Sequence, residues 1–147
     1  MNNEMKVEFD AISANEAFAR VSVAAFITPL NPTLEEISDI KTAVSEAVTN
    51  AIIHGYEGCG GKVSLSCKIR GRRIHIEIQD KGMRISDVAR AMEPLFTTKP
   101  EQERSGMGFS FMEAFMDELQ VQSEIGVGTI VTMEKNIAGL PYASDEE

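Results

Sequence analysis

Two runs of strict alternation constrain this chain more than any other feature. Val63, Leu65, Cys67 and Ile69 alternate with Ser64, Ser66 and Lys68, and Ile74, Ile76 and Ile78 alternate with His75, Glu77 and Gln79. A period of two places successive side chains on opposite faces of a strand, and Gly71-Arg72 between the runs predicts a hairpin. Because each strand has one apolar and one polar face, the sheet is expected to be covered by helices on one side only. The fold class that follows is α/β: a two-layer α/β sandwich with a mixed, mostly antiparallel sheet.

The flanking segments supply the other elements. MKVEFDA reads as a first strand, and Ser13-Ala14-Asn15-Glu16 has the form of a capping box opening a helix that runs to about Leu30. Asn31-Pro32 breaks the chain. Thr33 and Glu36 make a second box, after which Leu34, Ile37, Ile40, Val44, Val48 and Ala51 recur at helical spacing. QVQSEIG and GTIVTMEKN predict a second pair of strands, and Met112, Phe115, Met116 and Leu119 fit the core stripe of the helix before them. Pro94 to Ser105 reads as a long loop, and loops of that length in compact domains are usually functional lids or disordered. The 147 residues fit one domain. We place it over 1–137, with AGLPYASDEE (138–147) as a disordered tail.

On the predicted second helix, Glu46, Asn50 and His54 recur every fourth residue and share one face. Asparagine gains nothing inside a helix unless it finds a partner. Magnesium takes oxygen ligands and keeps several waters, so the Asn50 carboxamide can hold it while phosphates supply the rest. Glu46, one turn earlier, can accept a proton from an attacking hydroxyl. Asp80 in IQDKG stands at a strand end, where a carboxylate can accept a hydrogen bond from an exocyclic amine. Gly106 and Gly108 in RSGMGF precede a helix, whose positive end holds phosphate well. Lys99 and Arg104 stand beside them, where a polyphosphate would need cations in an acidic chain.

Other polar residues have plainer readings. His54 reads as a packing residue near a helix end and His75 as solvent-facing. Arg20 lies among Phe18, Val21, Ala24 and Ala25, where it either snorkels at the core edge or anchors a partner. Cys59 and Cys67 form no C-x-x-C, so reduced thiols without function are expected. A net charge of −9 argues against direct nucleic-acid or anionic-membrane binding. With no apolar stretch long enough to span a bilayer and no signal-peptide pattern, a cytoplasmic protein is expected.

The sequence has neither G-x-x-x-x-G-K-[ST] nor the H-R-D and D-F-G signatures, so its phosphate-handling elements belong to another design. E-x-x-x-N, then D-x-G, then a threonine-rich segment with G-x-G, then Gly128-Thr129, is similar in order to the GHKL ATPase/kinase superfamily, which binds ATP under a mobile lid on a Bergerat-type fold. Within it, SEAVTNAIIHGY and EPLFTTKPEQERSGMGFSFMEAFMDEL resemble the sporulation anti-sigma factors that are serine protein kinases. The resemblance implies ATP and Mg2+ as cofactors, with Glu46 catalytic and Asn50 on the metal. It implies nucleotide contacts from Asn50, Asp80, Gly82, Thr97, Thr98, Lys99, Arg104, Ser105, Gly106, Met107, Gly108 and Thr129. It also implies sigma factor F as the protein held, an anti-anti-sigma factor as the substrate phosphorylated, and a homodimer.

One position departs from the pattern: Arg84 stands where the family's D-x-G-x-G-I loop has its second glycine. A non-catalytic sigma-binding module with a weakened ATP site is therefore the rival reading, although pure binding needs no base at Glu46. A detached histidine-kinase catalytic domain would need a dimerisation helix pair bearing the acceptor histidine, and the sequence shows none.

Overall fold

The two alternating runs form neighbouring strands, β2 (Lys62–Arg70) and β3 (Arg73–Asp80), in a computed structural model of the chain. It describes residues 1–55, 60–81, 108–124 and 128–140, with the backbone alone at His54, Gly55, Gly108, Phe109 and Glu124. With β1 (Asn2–Asp10), β4 (Glu118–Glu124) and β5 (Gly128–Asn136) they make one sheet of order β1-β2-β3-β5-β4. Each neighbouring pair is antiparallel. The sheet among the described residues is thus antiparallel throughout.

The register lines the core up in rows across all five strands. Val7, Leu65, Ile78, Val131 and Val121 form one row, and Met5, Cys67, Ile76, Met133 and Leu119 form the next. Against these rows lies α2 (Leu34–Asn50), which buries Ile40, Ala43, Val44, Ala47 and Val48 and packs between α1 (Ala14–Phe26) and α3 (Gly108–Phe115). The three helices and the inward rows share a single apolar cluster. The opposite sheet face is polar: Glu134 accepts from Arg73 at 2.6 Å and pairs with His75 at 2.9 Å. The helices therefore cover one face, as the alternation requires.

Three local expectations are corrected. Ser13 is itself helical in backbone and makes no side-chain cap. The first helix stops at Phe26, and Thr28–Leu30 is a separate 3-10 turn with Pro29 near its start, because proline has no N–H to continue an α-helical ladder. Leu119 reaches the core from β4 and not from the helix, which ends at Phe115. The Thr33 box, by contrast, is complete: Glu36 N donates to Thr33 Oγ1 at 3.0 Å and Thr33 N donates to Glu36 Oε1 at 2.9 Å. Such a cap stabilises a helix by about 1 kcal/mol.

Beyond β5, Ala138 to Leu140, which the composition assigns to a tail, are hydrogen-bonded to the start of α2 and the turn before it. Cys67 is a free, buried thiol whose pKa burial pushes up to about 12, so it stays protonated and inert. No helix among the described residues is long and apolar enough to cross a membrane.

Candidate functional site

The core rows end in a row of different chemistry. One step beyond Leu65 and Ile78 the register aligns Phe9, Val63, Asp80, Thr129 and Ser123. Asp80 thus continues the inward series Ile74, Ile76, Ile78, so strand alternation carries a carboxylate under the helix layer. It is 4% exposed, and its cross-strand partner Thr129 is 3% exposed. The Ser123 and Thr129 hydroxyls lie 3.2 Å apart. Burying a carboxylate is expensive without hydrogen-bond donors, so such a place is built for recognition or strongly partnered.

Gly128 makes this pairing possible. Its φ of 113° is open to glycine, and a Cβ there would run into the Asp80 carbonyl oxygen and the Lys81 Cα. The close approach of the two backbones is what sets Thr129 opposite Asp80.

Helix α2 brings the second half of the site. It ends at Asn50, and the chain continues as a π-helical turn over Ala51–Gly55 that packs on β3 and β5. Wide turns of this kind recur at functional sites. The Asn50 side chain is 8% exposed, and its Nδ2 has no hydrogen-bond partner among the described residues. A buried orphan amide costs about 1–3 kcal/mol. Rotating the carboxamide exchanges nitrogen and oxygen, so the same position can donate to a phosphate oxygen or offer an oxygen to a cation. An orphaned donor–acceptor group at the end of a helix whose continuation packs on the strands bearing a buried carboxylate fits a nucleotide with its metal.

Glu46 lies one turn earlier on α2, partly buried. It lines an open groove between α1 and α2 together with Arg20, Lys41, Thr42 and Ser45. Arg20 is held there by Glu16 at 2.8 Å, which keeps its guanidinium over the groove side of α1. The structure thus gathers Glu46 with Arg20, and Asp80 with Thr129, while Asn50 ends the helix that carries Glu46 and precedes the turn that packs on β3 and β5. Gly108 is the first residue of α3. Gly82, Arg84, Thr97, Thr98, Lys99, Arg104, Ser105, Gly106 and Met107 lie outside the described residues, as does the side chain of His54. Sequence reasoning missed Ser123, which only the β4–β5 register brings beside Thr129.

The chain matches the family described as "Histidine kinase-like ATPase domain" over residues 10–135. It is 55% identical over 138 residues to the anti-sigma F factor of Clostridium acetobutylicum, covering 94% of this chain and 96% of that protein. The anti-sigma F factors of Bacillus subtilis strain 168 and Geobacillus kaustophilus are 53% and 56% identical over 139 residues, covering 94% of this chain and 95% of each. The chain belongs to the anti-sigma F factor family. Its domain is of the ATP-binding, kinase-like type. The matched span from residue 10 to residue 135 contains Glu46, Asn50, Asp80 and Thr129, whereas the segment Ile137–Leu140 lies beyond it.

Proposed function

We propose that this chain is an anti-sigma factor that holds sigma factor F and, as an ATP-dependent serine protein kinase, phosphorylates and inactivates the corresponding anti-anti-sigma factor. The observation that carries the reading is the orphaned Asn50 amide at the end of α2, in a fold whose buried Asp80–Thr129 pair is carried on the strands its helical continuation touches. In this reading the Asp80 carboxylate accepts from the adenine amino group, with Thr129 beside it. Asn50 would hold Mg2+, which when bound would neutralise phosphate charge. Glu46 takes the proton from the substrate serine as its oxygen bonds to the γ-phosphorus and ADP departs. Gly82, Thr97, Thr98, Lys99, Arg104, Ser105, Gly106, Met107 and Gly108 would close on the phosphates, supplying backbone N–H groups and positive charge.

Arg20 lines the groove that also holds Glu46, which supports its role as a contact to a protein partner. A homodimer is part of the same proposal, as is a cytoplasmic setting. A sigma-binding module without turnover is not favoured, because Glu46 is retained beside Asn50 and sequestration alone has no use for a proton acceptor.

The test is incubation of the chain with γ-labelled ATP, Mg2+ and the candidate anti-anti-sigma protein, alongside capture of sigma factor F with and without nucleotide. Label on a serine of that protein together with nucleotide-dependent capture is the expected result. Capture without any label would return the non-catalytic reading.

A further inference from the structure

The other end of α2 holds a second feature that the proposed chemistry does not use. Glu36 is the third residue of α2 and already completes the Thr33 capping box. Its carboxylate also accepts from two backbone amides more than a hundred positions away, Ala138 N at 2.7 Å and Gly139 N at 3.1 Å. Around this carboxylate the chain is tied from other sides. Leu140 N donates to Asn31 O at 3.0 Å, and Ile137 N donates to Arg72 O at 2.8 Å. Arg72 donates through Nε to Ile137 O at 2.8 Å and through Nη2 to Leu30 O.

Segment Ile137–Leu140 therefore clasps three things: the start of α2, the corner between α1 and α2, and the β2–β3 turn. Gly139 is needed for it. Its φ is +80°, and a Cβ would press on the Arg72 guanidinium and on the carbonyls of Leu30 and Asn31.

The clasp sits at the opposite ends of the elements that carry the site. Helix α2 runs from Glu36 toward Glu46 and Asn50, β3 runs from Arg73 to Asp80, and β5 runs from Thr129 to Asn136, next to the clasp. At 17 residues, α2 is a rod of about 25 Å. A rod fixed at one end to the sheet keeps its other end in register with the sheet, and catalytic geometry tolerates displacements of only about 1 Å or less.

We infer that Glu36 is a positioning residue. By gripping the Ala138 and Gly139 amides it locks α2 against the sheet, so that Asn50 and Glu46 stand in register with Asp80 and Thr129 when nucleotide binds. The inference rests on the reading of that end as the nucleotide site. Its consequence is coupling between two ends of one helix, and coupling between binding events is reciprocal. If a closed clasp tightens nucleotide, nucleotide must close the clasp.

The experiment uses the full chain and three variants: Glu36→Gln, Gly139→Ala and, as a control outside both ends, Lys68→Gln. Glutamine cannot accept from all three N–H groups and turns a donor toward one of them, while alanine at 139 opens the clasp from the other side. Magnesium-ATP affinity is measured by calorimetry well below each variant's melting temperature, and hydrogen exchange is followed at the amides of Ala138, Gly139 and Leu140. The expected result is a loss of affinity of about fivefold or more in both clasp variants, none in the control, and slower exchange of those three amides when nucleotide is added to the unaltered chain. Clasp variants that melt earlier yet bind nucleotide normally, with exchange at 138–140 indifferent to it, would show the clasp to be structural only and overturn the inference. An unaltered chain that binds no nucleotide would instead refute the site reading on which it rests.

Discussion

The two ends of α2 treat their polar atoms in opposite ways. At the Thr33 end one carboxylate satisfies three backbone amides, and the neighbouring carbonyls of Leu30 and Asn31 are taken by Arg72 and Leu140. At the Asn50 end an amide nitrogen is buried without a partner among the described residues, and the turn that follows packs on strands that bury a carboxylate and a threonine. Satisfied groups stabilise a fold, whereas an orphan of this kind is tolerated where a ligand restores the missing bond. On the proposed reading, stability is concentrated at one end of the helix and chemistry at the other. Substitutions at the two ends should then fail in different measurements.

The largest effect is expected at Glu46. Glu46→Gln keeps the side chain's shape and removes its capacity to take a proton, so phosphoryl transfer to the anti-anti-sigma protein should fall by about 10²–10⁴-fold. Nucleotide affinity and melting temperature should stay close to those of the unaltered chain. Near-normal transfer in this variant would remove Glu46 from the chemistry and leave the groove it shares with Arg20 as a docking feature alone.

Next in size is Asn50→Ala. Losing a contact to a charged ligand group should weaken magnesium-ATP binding by about ten- to a hundredfold. The fold itself should not suffer, because the orphan amide disappears with the side chain. Thermal melting without nucleotide should therefore be unchanged or slightly higher. Should the variant instead melt markedly lower with its affinity intact, the amide has a structural partner and the contrast between the two ends collapses.

At the other end, Glu36→Ala is expected to lower stability by about 1–2 kcal/mol, the range for a lost cap. It also brings a pH signature. Burial pushes the Glu36 carboxyl up, but hydrogen bonds from Thr33, Ala138 and Gly139 outweigh it and hold the net pKa below the ordinary carboxylate value. A depressed folded-state pKa means that the stabilisation is fully present above the ordinary glutamate pKa and is lost as pH falls through the lower folded value. Glu134, held down by Arg73 and then by His75, loses stability in the same direction. Melting curves of the unaltered chain and of Glu36→Gln, compared between neutral and acidic pH, separate the two contributions: the gap between the curves should narrow as pH falls. A constant gap would mean that the clasp does not depend on the carboxylate's charge.

How much of this was legible follows the range of the interactions. Period-two alternation announced β2 and β3 because it is local, and the Thr33–Glu36 box announced the start of α2 for the same reason. The Ser13 box has the same [ST]-x-x-E pattern and fails, since Ser13 adopts helical backbone and its hydroxyl makes no cap. Asn50 could be singled out because asparagine is a poor helix former whose placement calls for a reason. The alignment of Asp80 with Thr129 needs β3 to pair with β5 instead of its chain neighbour, and nothing local states that. The clasp was wholly illegible: Glu36 reads as a capping residue, and its other partners sit 102 and 103 positions away. The segment that binds it, AGL, has the composition of a tail.

The smallest expected effect concerns Arg84, which lies outside the described residues. Gly128 shows what glycine does beside Asp80, since its φ of 113° and its contact with the Asp80 backbone admit no side chain. If position 84 carries the same requirement, Arg84→Gly relieves strain of about 1 kcal/mol and tightens ATP binding by up to about tenfold. If the guanidinium instead reaches the phosphates, the same substitution weakens binding, and more so at low ionic strength, where charge is screened less. We expect tightening, because in the sequence Gly82 is available for the turn and Lys99 and Arg104 for positive charge. Affinities of the two forms at low and at physiological salt decide between these outcomes. A salt-sensitive loss would make Arg84 a phosphate ligand, a charge at the position where the resembled D-x-G-x-G-I pattern has glycine.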